Sequence, residues 1–185
     1  VVTLAHSGEY TVTAINPVAT NIPFGFRIAE LDTAPRLTHD ERIETTFATP
    51  GKTFIRRVEG RAGEKLLLGS LDSSPLDEVT IKLHTEAGVG TNWFAHPNVE
   101  DYDFVATKTH YLTIEQEYAD LSDLRLQAAL TAEAQALPMD TSFSGTLGPD
   151  GGFQLYKFDA QRRDNLILDT LSMTNSLTAG VLNNN

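Results

Sequence analysis

Four aspartates carry the clearest ligand chemistry in this sequence. Glu100-Asp101-Tyr102-Asp103 sets Asp101 and Asp103 two residues apart. On a strand that spacing puts both carboxylates on one face, about 7 Å apart. Asp72 and Asp77, beside Glu78, form a second acidic group. Hard oxygen ligands grouped this way suit calcium, so Asp72, Asp77, Asp101 and Asp103 are the candidate metal ligands. No EF-hand loop and no Gly-Gly-x-Gly-x-Asp repeat accompanies them, and a solvated acidic surface is the competing reading. Calcium is the one cofactor considered. Trp93 and Phe94 are the candidate ligand-binding aromatics, since an exposed indole stacks on sugar. The competing reading puts Trp93 in a core and Phe94 at a contact between repeats.

Catalytic arrangements are not supported. The histidines His6, His39, His84, His96 and His110 lie far apart, without His-x-x-x-His or His-Glu-x-x-His spacing. His84 and Glu86 read as exposed strand-end residues rather than as ligands. Ser142-Phe143-Ser144-Gly145 reads as a strand start, not as a nucleophile elbow, and Gly148 to Gly152 reads as a hairpin turn rather than a phosphate loop. The chain has no cysteine, which excludes thiol catalysis, disulfides and iron–sulfur centres. Its 185 residues carry 25 acidic and 14 basic side chains, a formal charge of -11. That balance disfavours nucleic acid and anionic membranes, which are polyanions themselves. No apolar run approaches the roughly 20 residues of a membrane helix. Arg56-Arg57 with Arg61, echoed by Arg162-Arg163, suit acidic neighbouring units.

The elements that must hold these residues are strands. Val79 to His84 alternates apolar and polar residues, as do Tyr10 to Ala14 and Phe24 to Ile28. Leu66-Leu67-Leu68 and Leu166-Ile167-Leu168 are short continuous apolar runs, expected of central strands. Turn signals at Thr49-Pro50-Gly51, Gly60 to Gly63 and Pro149 to Gly152 separate them. Eight strands are predicted near 41–47, 53–60, 64–71, 78–84, 91–95, 101–106, 110–116 and 123–130, the number of a jelly-roll sandwich. Residues 115–137 have a helix-favouring composition. An internal repeat makes 124–128 a strand instead, with room for a short helix within 116–123.

That repeat has an offset of 100. Residues 31–71 align without a gap on residues 131–171, and eight of the 41 pairs are identical: Ala34, Leu37, Asp40, Thr46, Gly51, Leu66, Leu68 and Leu71 with their counterparts. Glu9-Tyr10-Thr11-Val12 echoes Tyr111-Leu112-Thr113-Ile114 at an offset of 102, and Phe24 to Ile28 falls opposite Leu124 to Ala128. On this phase residues 1–30 are the C-terminal part of one repeat, 31–130 a complete repeat, and 131–185 the N-terminal part of the next. Tyr10, Val12, Phe24, Phe26 and Ile28 are then candidate assembly residues. Half-units expose apolar faces and unpaired strand edges, which must be covered by more of the same polypeptide or by strands from an identical chain.

The strand-and-turn pattern resembles the bacterial pre-peptidase C-terminal domain and its relatives in long secreted repeat proteins. The matching pieces are Ile43 to Phe47, Thr49-Pro50-Gly51, Ile55 to Val58 and Ala62-Gly63-Glu64 running into Leu66-Leu67-Leu68. The second unit matches with Phe143 to Leu147, Gly148 to Gly151 and Tyr156-Lys157-Phe158, and the closing strands with Gly8 to Val12 and His110 to Ile114. Arg56 departs from the expected aromatic, Thr109-His110-Tyr111 lacks a glycine, and Arg163 stands opposite Gly63. The resemblance implies an all-β, jelly-roll-like antiparallel β-sandwich repeat. It further implies a non-catalytic structural or adhesive module of a secreted or cell-surface protein, one able to assemble head-to-tail into a filament or surface layer. The alternative it offers is a carbohydrate- or protein-binding accessory domain of a secreted hydrolase, with extracellular polysaccharide or matrix protein as partner. Some relatives bind calcium.

Overall fold

Two faces of alternating side chains decide the architecture of this chain, a computed structural model of which describes residues 8–15, 28–45, 53–71, 79–85, 90–93, 100–116, 124–140, 142–148 and 151–161. Among the described residues eight strands lie between residues 41 and 130: β1 (Glu41–Thr45), β2 (Thr53–Gly60), β3 (Lys65–Ser70), β4 (Val79–Thr85), β5 (Gly90–Trp93), β6 (Glu100–Asp103), β7 (Lys108–Gln116) and β8 (Leu124–Leu130). They form two four-stranded sheets, in the orders β1-β8-β3-β6 and β2-β7-β4-β5. All the pairings in these two sheets are antiparallel. That interleaved order, with each sheet taking strands from both halves of the sequence, is a jelly roll. The eight predicted strands are the eight observed, with ends shifted by a few residues.

The core lies between the sheets. Ile43, Leu66, Leu68, Leu124, Leu126, Ala128 and Leu130 face it from one side, and Val58, Val79, Ile81, Leu83, Leu112 and Ile114 from the other. Phe104 and Leu37 close it. Residues at every second position on β8 point inward, so burial of Leu124, Leu126, Ala128 and Leu130 overrides the helix-favouring composition around them. The short helix expected within 116–123 falls almost wholly outside the described residues; only Gln116 is described, as the last residue of β7.

Strand β3 is buried on both faces, which explains its unbroken Leu66-Leu67-Leu68 run. Arg56 takes the place of an aromatic by lying over the Phe54 ring, 4.1 Å from its centroid, and pairing with Glu41 at 2.7 Å. The cation and its carboxylate join β2 to β1 at the open edge of the sandwich. His110, which replaces the expected glycine, is buried beside the Phe104 ring at 4.8 Å. At the end of β2, a Cβ on Gly60 would meet that same Phe104 ring within 2.3–2.7 Å, so only glycine fits.

A 3-10 turn at Leu31–Thr33 leads into the sandwich, and another at Thr131–Glu133 leads out of it. Beyond the second turn, β9 (Gln135–Ala136) pairs in parallel with β10 (Tyr156–Lys157).

Candidate functional site

The acidic pair on β6 already has a cation. Lys65 opens β3, which pairs with β6 in a register that sets Lys65 opposite Asp103. The Lys65 ammonium lies 2.7 Å from Asp101 and 2.5 Å from Asp103. Hydrogen bonding to Asp101, then to Asp103, raises the lysine above its ordinary pKa. The two carboxylates therefore converge on the ammonium of a lysine that is 8% exposed as a residue. No group of three or more metal-type side chains gathers among the described residues. Asp72, Asp77 and Phe94 lie outside them. Trp93 ends β5, the edge strand of its sheet, with its backbone opposite Ile81.

Each arginine of the first basic cluster has a carboxylate within the same sandwich. Arg56 pairs with Glu41, Arg57 with Glu59 at 3.2 Å, and Arg61 with Glu64 at 3.9 Å. Glu59 lies on the same strand as Arg57, Glu64 closes the turn after Arg61, and Glu41 comes from β1 of the other sheet. Two histidines are buried on the second sheet. His84 meets the Thr113 hydroxyl at 2.9 Å, and its Nδ1 has no partner among the described residues. His110 Nδ1 meets the Lys108 carbonyl at 3.0 Å. Burial pushes both below the usual histidine pKa.

The most developed polar arrangement joins the sandwich to the segment on its C-terminal side. Gln127 points outward from β8 yet is buried. Its Nε2 donates to the Phe153 carbonyl at 2.8 Å, and its Oε1 accepts from the Phe153 N–H at 2.8 Å. Nε2 also donates to Asp40. Two acceptors on one side and a donor on the other fix the amide's orientation. The side chain thus pairs with a backbone as a strand would. Gly152 makes the approach possible. Its φ is +104°, and a Cβ there would stand 2.5 Å from Gln127 Oε1 and 3.1 Å from Leu71. Around this clamp, Arg36 faces Glu133 at 3.8 Å, and the Leu130 N–H donates to His39 Nδ1 at 3.3 Å.

The geometry of the approach to the sandwich recurs 100 residues later. The Ala34 N–H bonds the Leu31 carbonyl at 2.9 Å, and the Ala134 N–H bonds the Thr131 carbonyl at 3.3 Å. The Leu37 N–H donates to the Arg57 carbonyl at 2.7 Å, and the Leu137 N–H to the Lys157 carbonyl at 2.7 Å. Arg36 bridges Arg57 in parallel, as Ala136 bridges Lys157. Arg57 reaches the Asp32 carbonyl, and Lys157 the Ala132 carbonyl. Asp40 and Asp140 both take left-handed φ, 58° and 57°.

What differs is burial. Ile43, Val58, Leu112, Ile114 and Ala128 are at most 1% exposed. Their aligned partners Phe143, Phe158, Tyr10, Val12 and Ile28 are 44%, 37%, 52%, 58% and 78% exposed. Leu147 is also exposed, and Phe143 rests on Tyr156 with ring centroids 4.5 Å apart. Phe24 and Phe26 lie outside the described residues.

No family model matches the chain, and no curated protein matches it. Among solved structures it is similar to the pre-peptidase C-terminal domain of a collagenase from Bacillus anthracis, with 17% identity over 57% of this chain and 99% of that one and a TM-score of 0.42. That domain is of the kind the sequence resembles. The chain is also similar to a periplasmic inhibitor of g-type lysozyme from Aeromonas hydrophila, with 12% identity over 56% of this chain and 90% of that one and a TM-score of 0.37. A de novo designed double-stranded β-helix shares 8% identity over 50% of this chain and 99% of that chain, with a TM-score of 0.31. No helix among the described residues is long and apolar enough to cross a membrane.

Proposed function

We propose that this chain is a non-catalytic structural or adhesive repeat module of a secreted or cell-surface protein, with neighbouring repeats or identical chains as its partners. The observation that carries the reading is the recurrence at an offset of 100, where turn, parallel bridge, left-handed aspartate and basic side chain return in the same order. A segment that repeats the approach to a sandwich is what the start of another sandwich requires. The Gln127 clamp is then a junction between consecutive units. It fixes their relative placement through a backbone pairing that a flexible linker would lack. The formal charge of -11 keeps such modules soluble and mutually repelling except where they are shaped to meet.

A second reading is a carbohydrate- or protein-binding accessory domain of a secreted hydrolase. It is favoured by the position of Trp93 on β5, the edge strand of its sheet among the described residues. Binding of the parent and Trp93→Ala chains to immobilised glycans and matrix proteins separates the two. A module whose partners are neighbouring repeats or identical chains expects no binder that depends on Trp93. A binder lost on Trp93→Ala would replace it with the accessory reading.

A further inference from the structure

We infer that the groove between residues 28–35 and the start of β2 receives a turn of the Thr38–Asp40 kind from a preceding unit of the same polypeptide. The inference rests on the proposed repeat and adds the surface on which a preceding unit sits.

The chain holds this groove twice. Ala29, Thr33, Pro35, Phe54, Ile55 and Arg56 border the first, and the residues 100 positions later, from Ala129 to Tyr156, border the second in the same order. What differs is the far wall. In the second groove His39 and Asp40 of the complete sandwich form it, and the cavity is about 280 Å³. The first groove has no such turn among the described residues, and its cavity is about 540 Å³.

One hydrogen bond records the same difference. The Leu130 N–H donates to His39 Nδ1 at 3.3 Å. Its counterpart 100 residues earlier, the Glu30 N–H, has no acceptor among the described residues. A turn that brings an acceptor to Glu30 therefore suits the first groove as His39 suits the second. The turn supports itself. The Thr38 N–H and hydroxyl both donate to the Glu41 carboxylate, at 2.9 and 3.3 Å, and Asp40 takes its left-handed φ of 58°. A neighbouring unit can present such a turn with little further ordering.

The source follows from the second groove. Ala129 belongs to the same sandwich as His39 and Asp40, so one unit supplies both walls. On the proposed phase Ala29 belongs to the preceding unit, which then supplies both walls of the first groove. A second copy of this chain is the poorer source, because its own turn already covers its own second groove.

The full chain, labelled with nitrogen-15, is titrated with a synthetic peptide of residues 36–44 to about 5 mM, enough to saturate a millimolar site. The expected result is saturable shifts at the Glu30, Ala34 and Ile55 amides. The same peptide with His39→Ala should bind at least about fivefold more weakly, having lost the acceptor for Glu30. No shift at these amides, equal binding by the His39→Ala peptide, or shifts confined to Glu133, Gln135 and Tyr156 would each overturn the inference. Shifts of the Glu30 and Ile55 amides on concentrating the chain alone would assign the groove to a second copy and overturn it too. The repeat reading is judged separately, by protection of the Leu137 amide. If that amide is protected and the peptide leaves Glu30 unmoved, only the docking fails.

Discussion

Replacing Gln127 with alanine should free the segment after the sandwich without unfolding the sandwich. The side chain makes two bonds to the Phe153 backbone, both 2.8 Å, and one to Asp40. At about 1 kcal/mol net for each neutral bond, loss of the two bonds to Phe153 weakens the junction by about 2 kcal/mol, or roughly thirtyfold. The loss stays local because Gln127 points away from the core while Leu126 and Ala128 on either side of it face inward. Alanine also matches the neighbours Ala128 and Ala129, so β8 keeps its pairing with β1 and β3. Native-state hydrogen exchange reads both halves of the expectation. The Phe153 amide should exchange roughly thirtyfold faster, while the Leu112, Ile114 and Leu126 amides stay within about twofold. Gln127→Glu keeps an acceptor for the Phe153 N–H but loses the donor and sets a carboxylate beside Asp40. At neutral pH it should open the junction at least as far as alanine does. Unchanged exchange at Phe153, or acceleration of every amide together, would refute the reasoning.

Four further substitutions and conditions have expected outcomes. Gly152→Ala forces a Cβ against Gln127 and Leu71 at a φ of +104°, so proteases should cut within 142–158 sooner while the sandwich resists; equal cutting would contradict the clamp. Lys65→Gln leaves Asp101 and Asp103 without their shared cation, and because both carboxylates are more than a third exposed the cost is held to about 1–2 kcal/mol. Millimolar calcium should then raise the melting temperature of Lys65→Gln and leave the parent unchanged; a calcium response in the parent would contradict the resident-ammonium account. Burial depresses His84 and His110, so the unfolded chain binds protons more readily, and stability falls as pH drops through 6.5 toward the folded values. A His110→Leu chain should show a shallower loss between pH 7 and 5 in thermal melts, and an unaltered slope would refute that cause. Gly60→Ala should cost about 1–3 kcal/mol by overpacking against the Phe104 ring, partly restored by Phe104→Leu; a neutral effect would contradict the contact.

The strands were legible because their faces are written at a period of two. The alternation in Val79 to His84 sets Val79, Ile81 and Leu83 in the core, with Thr80 and His84 buried on the other face as well, and the unbroken Leu66 to Leu68 run reports two-sided burial; each lies on the strand it predicts. The helix-prone stretch around Leu124 was decided only by its opposite number at Phe24 to Ile28, since propensity and tertiary burial pull in different directions there. What the sequence hides is set by register. Lys65 lies 36 residues from Asp101, and nothing local links them until β3 pairs with β6. A lysine opening an otherwise apolar strand was the available signal. Gln127 gave a similar sign, as the one polar residue between Leu126 and Ala128-Ala129-Leu130. Its partner is the backbone of Phe153, which no side-chain pattern announces. Arg56 follows the same rule, since Glu41 reaches it only across the sandwich edge.

Hydrogen exchange at Leu37 and Leu137 tests the repeat most directly. Each amide donates to a carbonyl at 2.7 Å, on Arg57 and on Lys157, in segments 100 residues apart. If residues 131 onward begin a second unit of the same kind, both amides are protected, with Leu137 opening more readily because fewer neighbours cover it. Protection at Leu37 with free exchange at Leu137 would contradict the account.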